Sequence, residues 1–450
     1  MGVDPPPHST ARLPSAIGLV YTALVLLICG FFITFMLPLA NPAPYTDDWM
    51  YIGVAGFGIR SLVRWSLEPH NEHFIPLMKL SQYATLRIAN FDFRPLIGIS
   101  ALLATLASFA AFSVARAYRG RESLGDLFFP FVLLNSAFNV FAWGFSAQFG
   151  TAVAEAFIFL FFFSVGLARR NALLIALAYL TLLTLGLTGL NGMVVAVVTS
   201  ILMLIASLLA REAVMRRQVA IASGMIGLLL VTVYIATRVP ATMPLQQLDP
   251  ALFANWIYHL LVSSLVIRAE PGGWWHATLL GALAVAALTI CAFTAWSLLR
   301  RRSVQLMDSA VQSLFIGFAA LVFVITLGRA GLGAWDPGLE LHYGYLTTPL
   351  PILGWIIVSR ALPRLPALAC GLVLVVLYGD AFWAGSQWRF GYVQSKRVEF
   401  EDMDRLIRSD APPTEITRLY MREIYWRDTP ELRQLLESSI QQYRGVIKRY

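Results

Sequence analysis

Ile17–Leu39, IGLVYTALVLLICGFFITFMLPL, is an uninterrupted apolar run, and Thr46-Asp47-Asp48-Trp49 follows it within a few residues. At 1.5 Å per residue a helix of this length crosses the ~30 Å hydrocarbon core of a bilayer. No small-residue cleavage pattern follows it cleanly, so it is expected to stay as the first membrane helix rather than leave as a signal peptide. Two adjacent carboxylates at the edge of such a span repel each other and gain nothing from burial. Chemistry at the membrane surface explains them better than folding does.

The remainder of the chain repeats the pattern. Of 450 residues, 58% are hydrophobic and 13% charged, against about 25% charged in a soluble domain. The composition is that of a polytopic all-α membrane protein. Eleven apolar runs stand out, at 17–39, 95–116, 124–142, 148–168, 172–190, 193–210, 218–237, 276–299, 309–328, 344–361 and 365–385. The net charge of +8 comes from arginines that punctuate their ends: Arg116, Arg119 and Arg121; Arg169 and Arg170; Arg211, Arg216 and Arg217; Arg300 to Arg302; Arg360 and Arg364. With a cytoplasmic N-terminus, all of these fall on the cytoplasmic side, as the positive-inside rule requires. That distribution excludes a nucleic-acid groove.

Residues 250–268 are also apolar, but a full crossing there would place Arg300 to Arg302 outside. They are therefore expected to lie in the outer interface, with Trp256, Tyr258 and His259 at headgroup level. The outer face then carries a first loop at about 40–94, a second region at 238–275, a third at 328–345 and a charged, helical tail. The domain division is 1–390 for the membrane domain and 391–450 for the tail. Within the first loop, Pro76 to Ala89 has helical spacing with Leu77, Leu80, Ala84 and Ile88 on one side, as in a helix lying on the membrane. Cys29, Cys291 and Cys370 sit in apolar runs without paired spacing, so neither a disulfide nor a thiolate metal site is expected.

The chemistry-bearing residues lie on the outer face. Asp47 or Asp48 is the candidate general base, with Trp49 and Tyr45 partly desolvating the pair. A solvated turn with Asp as a helix cap is the plain alternative. Trp49 and His70-Asn71-Glu72-His73 are the expected substrate- or acceptor-binding groups. Asp48 with His70 and His73 is also a candidate divalent-metal set, although nothing in the sequence requires a cofactor. The outer cations are Arg60, Arg64, Lys79, Arg87, Arg268 and Arg329. Arg329 stands at the very end of a span, where a cation calls for an anionic partner such as phosphate; His342 and Tyr343 at the start of the next span complete such a site. Asn135, Asn139, Gln148, Glu155, Asn191 and Asp380 read as interhelical hydrogen-bonding residues, with Glu155 the one to watch. There is no P-loop, dinucleotide fingerprint or Gly-x-Ser-x-Gly elbow.

TDDW (46–49), HNEHFIP (70–76), NVFAWGFSAQF (139–149), LNG (190–192) and GRAGLG followed by HY (328–333, 342–343) resemble the C-type (GT-C) integral-membrane glycosyltransferases, in particular bacterial members. His342-Tyr343 stands where relatives carry an Arg-Tyr pair. The resemblance implies transfer of a sugar from a polyprenyl phosphate to an envelope glycan, lipid or protein, on the periplasmic side of a bacterial inner membrane. It places the base at Asp47 or Asp48 and the donor phosphate among Arg60, Lys79, Arg329, His342 and Tyr343. Three other readings compete: a transporter or flippase of lipid-linked sugars, an O-antigen polymerase or ligase, and an inactive relative serving as a scaffold.

Overall fold

The computed structural model describes residues 15–70, 73–210, 213–238, 249–264, 305–329, 341–425 and 428–448. Among these the chain is all-helical, with one isolated pair of backbone bonds between His70 and His73 in place of any strand. The protein is a helical membrane protein. Seven helices of the described residues are long and apolar enough to cross a bilayer: Ala16–Leu39, Arg94–Arg119, Ala147–Arg169, Leu190–Leu209, Met215–Thr237, Leu306–Arg329 and Arg364–Arg408.

The elements, in chain order, are α1 (Ala16–Phe31, continued by a wider turn and a 3₁₀ turn to Leu39), α2 (Ile59–Leu67), α3 (Pro76–Ile88), α4 (Arg94–Arg119), α5 (Phe128–Leu133), α6 (Ala147–Arg169), α7 (Ala172–Gly186), α8 (Leu190–Leu209), α9 (Ala213–Thr237), α10 (Pro250–Ser263), α11 (Leu306–Arg329), α12 (Leu341–Thr347), α13 (Pro349–Ala361), α14 (Arg364–Arg408), α15 (Pro413–Tyr425) and α16 (Pro430–Ile447). Their ends follow local chemistry. Ser15 caps α1 by accepting the Gly18 N–H at 3.0 Å, Asn171 caps α7 and Asp249 caps α10, each satisfying an orphan N–H of a first turn. Gly120, at φ 71°, closes α4 in the left-handed region.

Four expected spans take a different form. The run 124–142 becomes a 3₁₀ turn at Leu124–Leu127 and the six-residue α5, followed by irregular chain. The buried Asn135 side chain competes for the backbone there, its Oδ1 accepting the Ala137 N–H at 3.0 Å. The run 172–190 gives only the fifteen residues of α7. The run 344–361 is divided at Thr348, whose N–H turns back to the Tyr345 carbonyl at 3.2 Å, while Pro349 has no N–H to carry the helical ladder onward. The last run does not stop at 385: α14 continues for 45 residues, roughly 67 Å at 1.5 Å per residue. Trp383, Trp388 and Tyr392 punctuate its middle, where the apolar run gives way to charged residues, the position of an interfacial aromatic belt. The expected span at 276–299 and Arg268 lie outside the described residues.

α10 is fourteen residues long, too short to cross. Trp256 is completely buried in the core shared with α11 and α12, so its ring faces protein.

Among the described residues the buried side chains form two cores. The larger joins α1 and α4 through α14. The smaller draws on both ends of the sequence. Trp49, Tyr51, Ile75, Met78, Tyr83, Leu86 and Phe91 of the first loop pack with Met403, Ile407, Ile416, Ile424, Leu436, Ile440 and Tyr443 of the tail. Arg444 closes the junction, donating to the carbonyls of Ile407 and Leu406 at 2.8 and 2.9 Å at the C-terminal end of α14. At the opposite ends of α4 and α11, ion pairs tie the bundle: Arg119 to Asp126, and Arg360 to Asp308.

Candidate functional site

The acidic pair sits on a 3₁₀ turn, Thr46–Tyr51, whose geometry separates the two carboxylates. Asp48 turns inward and is 1% exposed. Its Oδ2 accepts the Tyr45 N–H at 3.1 Å, and its Oδ1 accepts the Phe145 N–H at 2.7 Å. Burial raises its pKa well above the ordinary carboxylate value, against the lowering effect of those two bonds, and the Asp47 charge adds to the rise. Thr46, at φ 45°, is held in the left-handed region that a β-branched residue rarely adopts. Asp47 turns the other way: it is partly exposed, and its Oδ1 lies 3.4 Å from the His70 Nε2.

The loop 134–146 supplies the facing wall. Trp143 Nε1 donates to the Tyr45 carbonyl at 3.1 Å. Gly144 passes so close to the turn that a Cβ there would lie 3.2 Å from the Asp48 carboxylate and 3.0 Å from Leu96. From this loop a run of rings crosses the site. His70 packs on Phe145 at 5.2 Å, Phe145 on Trp143 at 5.4 Å, and Trp143 on His342 at 5.9 Å. His342 lies against Tyr343 at 4.2 Å, and the Arg329 guanidinium stands 5.6 Å over the Tyr343 ring. Thus the first loop, the 134–146 loop and the ends of α11 and α12 meet at one place.

Charge at this place is unevenly spread. Desolvation, then the Arg329 charge, lowers His342 to about 3, while Asp47 acts in the opposite sense. The imidazole is therefore neutral near pH 7 and serves as a hydrogen-bonding group; the cation is Arg329. Tyr425, at the end of α15, is raised to about 12 by burial and by the Asp47 charge, which brings the tail to the rim of the site.

Several expected site residues lie elsewhere. Lys79 is corrected: it is 2% exposed, and its ammonium donates to the carbonyls of Trp65 and Glu68 at 3.0 and 2.6 Å, over the Trp65 ring. It caps the C-terminal end of α2, and burial lowers its pKa to about 8. Trp49 is likewise corrected, because it packs edge-on against Tyr443 at 6.0 Å inside the smaller core rather than facing a substrate. Arg60 and Arg64 are exposed on α2, beside the exposed Ile59, Val63 and Leu67. On α3, Leu77, Ala84 and Ile88 are exposed and Leu80 is half-buried.

His70 and His73 exchange both backbone bonds at 2.8 Å around Asn71 and Glu72, which lie outside the described residues. The candidate metal set is not assembled as expected: His70 faces Asp47, and both Asp48 oxygens accept backbone N–H bonds. No group of three His, Cys, Asp or Glu side chains with metal-holding geometry occurs among the described residues. Among the interhelical residues, Asn135 and Gln148 are buried, Asp380 is exposed, and Glu155 meets Thr184 of α7 with its Oε2 buried and unpartnered. An open cleft of about 460 Å³ at Asp92, Arg94, Glu401, Asp404 and Arg408 lies away from this cluster and is lined by mutually paired charges.

Sequence reading missed Phe145, Gly144 and Tyr425. The first two lie in a motif quoted above, at Trp143-Gly144-Phe145, where one glycine between two aromatic rings is the only local signal; Tyr425 carries none. No family model matches the chain, and no curated protein or solved structure matches it.

Proposed function

We propose that the protein is an integral-membrane glycosyltransferase of GT-C-like architecture, with eleven crossings, that transfers a sugar from a polyprenyl-phosphate donor to an acceptor on the periplasmic face. The observation that carries this reading is the placement of the Asp47–His70 pair across a wall of aromatic rings from Arg329 and Tyr343. In this reading Asp47 is the base and Arg329 the phosphate-binding cation, and both charges act on the same imidazole, His342.

In this scheme the acceptor hydroxyl attacks the anomeric carbon as its proton passes to Asp47. The bond from that carbon to the phosphate oxygen breaks, and the polyprenyl phosphate leaves with the electron pair. Configuration inverts. A phosphate monoester with a second pKa of ~6 needs no general acid, and Arg329 stabilises the charge that develops on it. Neutral His342 and the Tyr343 hydroxyl orient the phosphate or sugar. Asp48 holds the turn that presents Asp47, through the Tyr45 and Phe145 amides.

The test is a transfer assay in isolated membranes with radiolabelled polyprenyl-phosphate sugars, at matched expression. Asp47→Asn is expected to lower transfer by roughly 10²–10⁴-fold, the usual worth of a general base. Wild-type membranes that carry lipid-linked sugar across the bilayer but transfer none would replace this reading with the transporter.

A further inference from the structure

We infer that Arg389 is a positioning residue for the acidic turn, acting from α14 through the 134–146 loop. The effect on turnover rests on the transferase reading; the positioning itself rests on geometry. Arg389 lies in the aromatic stretch Trp388 to Tyr392 and is 3% exposed. Its Nε donates to the Ser136 carbonyl at 3.0 Å and its Nη2 to the Ala137 carbonyl at 2.7 Å. The guanidinium also lies 4.8 Å from the Trp388 ring centre and 5.7 Å from that of Tyr392.

Those two carbonyls belong to the irregular backbone that replaces an expected membrane helix. Buried backbone carbonyls that no helix satisfies need a donor from elsewhere in the protein. Arg389 supplies it with a planar fork that matches two consecutive carbonyls, a geometry lysine lacks. If packing alone were needed, an apolar residue of similar volume would fill the place without the cost of burying a charge.

α14 holds the same segment at further points. Asn135 Nδ2 donates to the Ala381 carbonyl at 3.4 Å, and the hydroxyls of Ser136 and Ser386 lie 3.3 Å apart. The other end of the loop holds the site: Phe145 N–H to Asp48 Oδ1 at 2.7 Å, and Trp143 Nε1 to the Tyr45 carbonyl at 3.1 Å. The loop is therefore strung between α14 and the turn that carries Asp47. Loosening it at Arg389 slackens the Asp48 anchor without touching any group that faces the substrate.

The experiment compares full-length wild type with Arg389→Gln, Arg389→Lys and Gly385→Ala. The last is an independent perturbation, since a Cβ at 385 would lie 2.6 Å from Asn135 Oδ1 and 2.9 Å from the Ala137 Cβ. Hydrogen exchange is followed in peptides covering 134–146, 45–51 and, as a control, 97–115. In Arg389→Gln, exchange is expected to rise about tenfold or more in both 134–146 and 45–51, with 97–115 unchanged. Arg389→Lys should lie between, and Gly385→Ala should reproduce the pattern if Arg389→Gln does not fold. In the transfer assay kcat should fall by roughly 10–10²-fold with the donor KM unchanged, as expected for a misplaced base. Faster exchange confined to 134–140, with 45–51 and kcat as in wild type, would overturn the inference. A preparation without transfer activity would count against the transferase reading, while the exchange pattern would still decide the positioning.

Discussion

Asp47 and Asp48 are neighbours in sequence and opposites in environment, and the difference has a measurable sign. Asp48 is raised above its ordinary 3.8 by burial. Between these two pKa values the folded state binds a proton that the unfolded state has released, so stability falls as pH rises through that window. The unfolding midpoint of wild type is expected to decline on raising the pH above 4, and Asp48→Asn should remove that part of the slope. Differential scanning fluorimetry in detergent at matched ionic strength checks it; an identical slope in the variant would exclude Asp48 as its source. Lys79 makes a second case. Lys79→Met leaves two buried carbonyls without a donor, a loss of about 1–3 kcal/mol. It should lower the unfolding midpoint while the donor KM stays that of wild type; a raised KM would return Lys79 to the phosphate site. The adjacency of the two acids was legible in the chain, and so was their place after a span. Which of them turns inward was not, because Phe145, which takes one oxygen of Asp48, lies 97 residues away. Lys79 failed for a related reason: a lone cation in an amphipathic segment looks the same whether it meets solvent or a helix end.

At the scale of elements, apolar runs reported where helices begin more faithfully than whether they continue. α1, α4, α6, α8 and α11 match expected runs to within a few residues. The 124–142 run failed because its length and hydrophobicity describe a helix, while Asn135 and Ser136 bond to distant partners on α14. α14 outran its span because the charged residues beyond 385 are as helix-compatible as the apolar ones before it, with i, i+4 ion pairs such as Arg397–Glu401 and Arg408–Asp404 supporting them. Where α14 crosses the turn before α5, Gly125 and Gly371 meet directly. A Cβ on Gly125 would come within 2.8 Å of the Gly371 Cα and closer still to the Trp355 ring. Gly125→Ala is thus expected to cost about 1–3 kcal/mol by overpacking, read as a lower unfolding midpoint; no change would mean that α14 shifts to accommodate it.

For the whole molecule, the tail is the least expected part of the architecture. Its helical character and its packing on the outer loops were foreseeable from Ile416, Leu419, Tyr420 and Ile424. That it shares one core with the first loop was not, since no local pattern announces a partner several hundred residues away. Tyr443 is the test. It is fully buried, donates to the Phe91 carbonyl at 3.0 Å and packs on Trp49. Tyr443→Ala is expected to remove about 3–5 kcal/mol, the usual cost of an aromatic cavity. Limited proteolysis should then cut first within 40–94, with the membrane helices intact; cleavage spread evenly along the chain would show that the two cores are one cooperative unit.

That shared core also sets an order of events during synthesis. The first loop leaves the ribosome early, yet Trp49, Tyr51 and Phe91 acquire their tail partners only when the last helices are made, Tyr443 following Phe91 by 352 residues. Until then the loop has apolar side chains and an acidic turn without their final cover, the kind of transient surface that chaperones guard. Docking of the tail, rather than insertion of the first span, is therefore the step that covers Trp49 and Phe91, whereas the Asp48 anchors to Tyr45 and Phe145 need only the 134–146 loop. A chain that lacks the tail keeps its acidic turn but leaves the apolar face of the first loop uncovered.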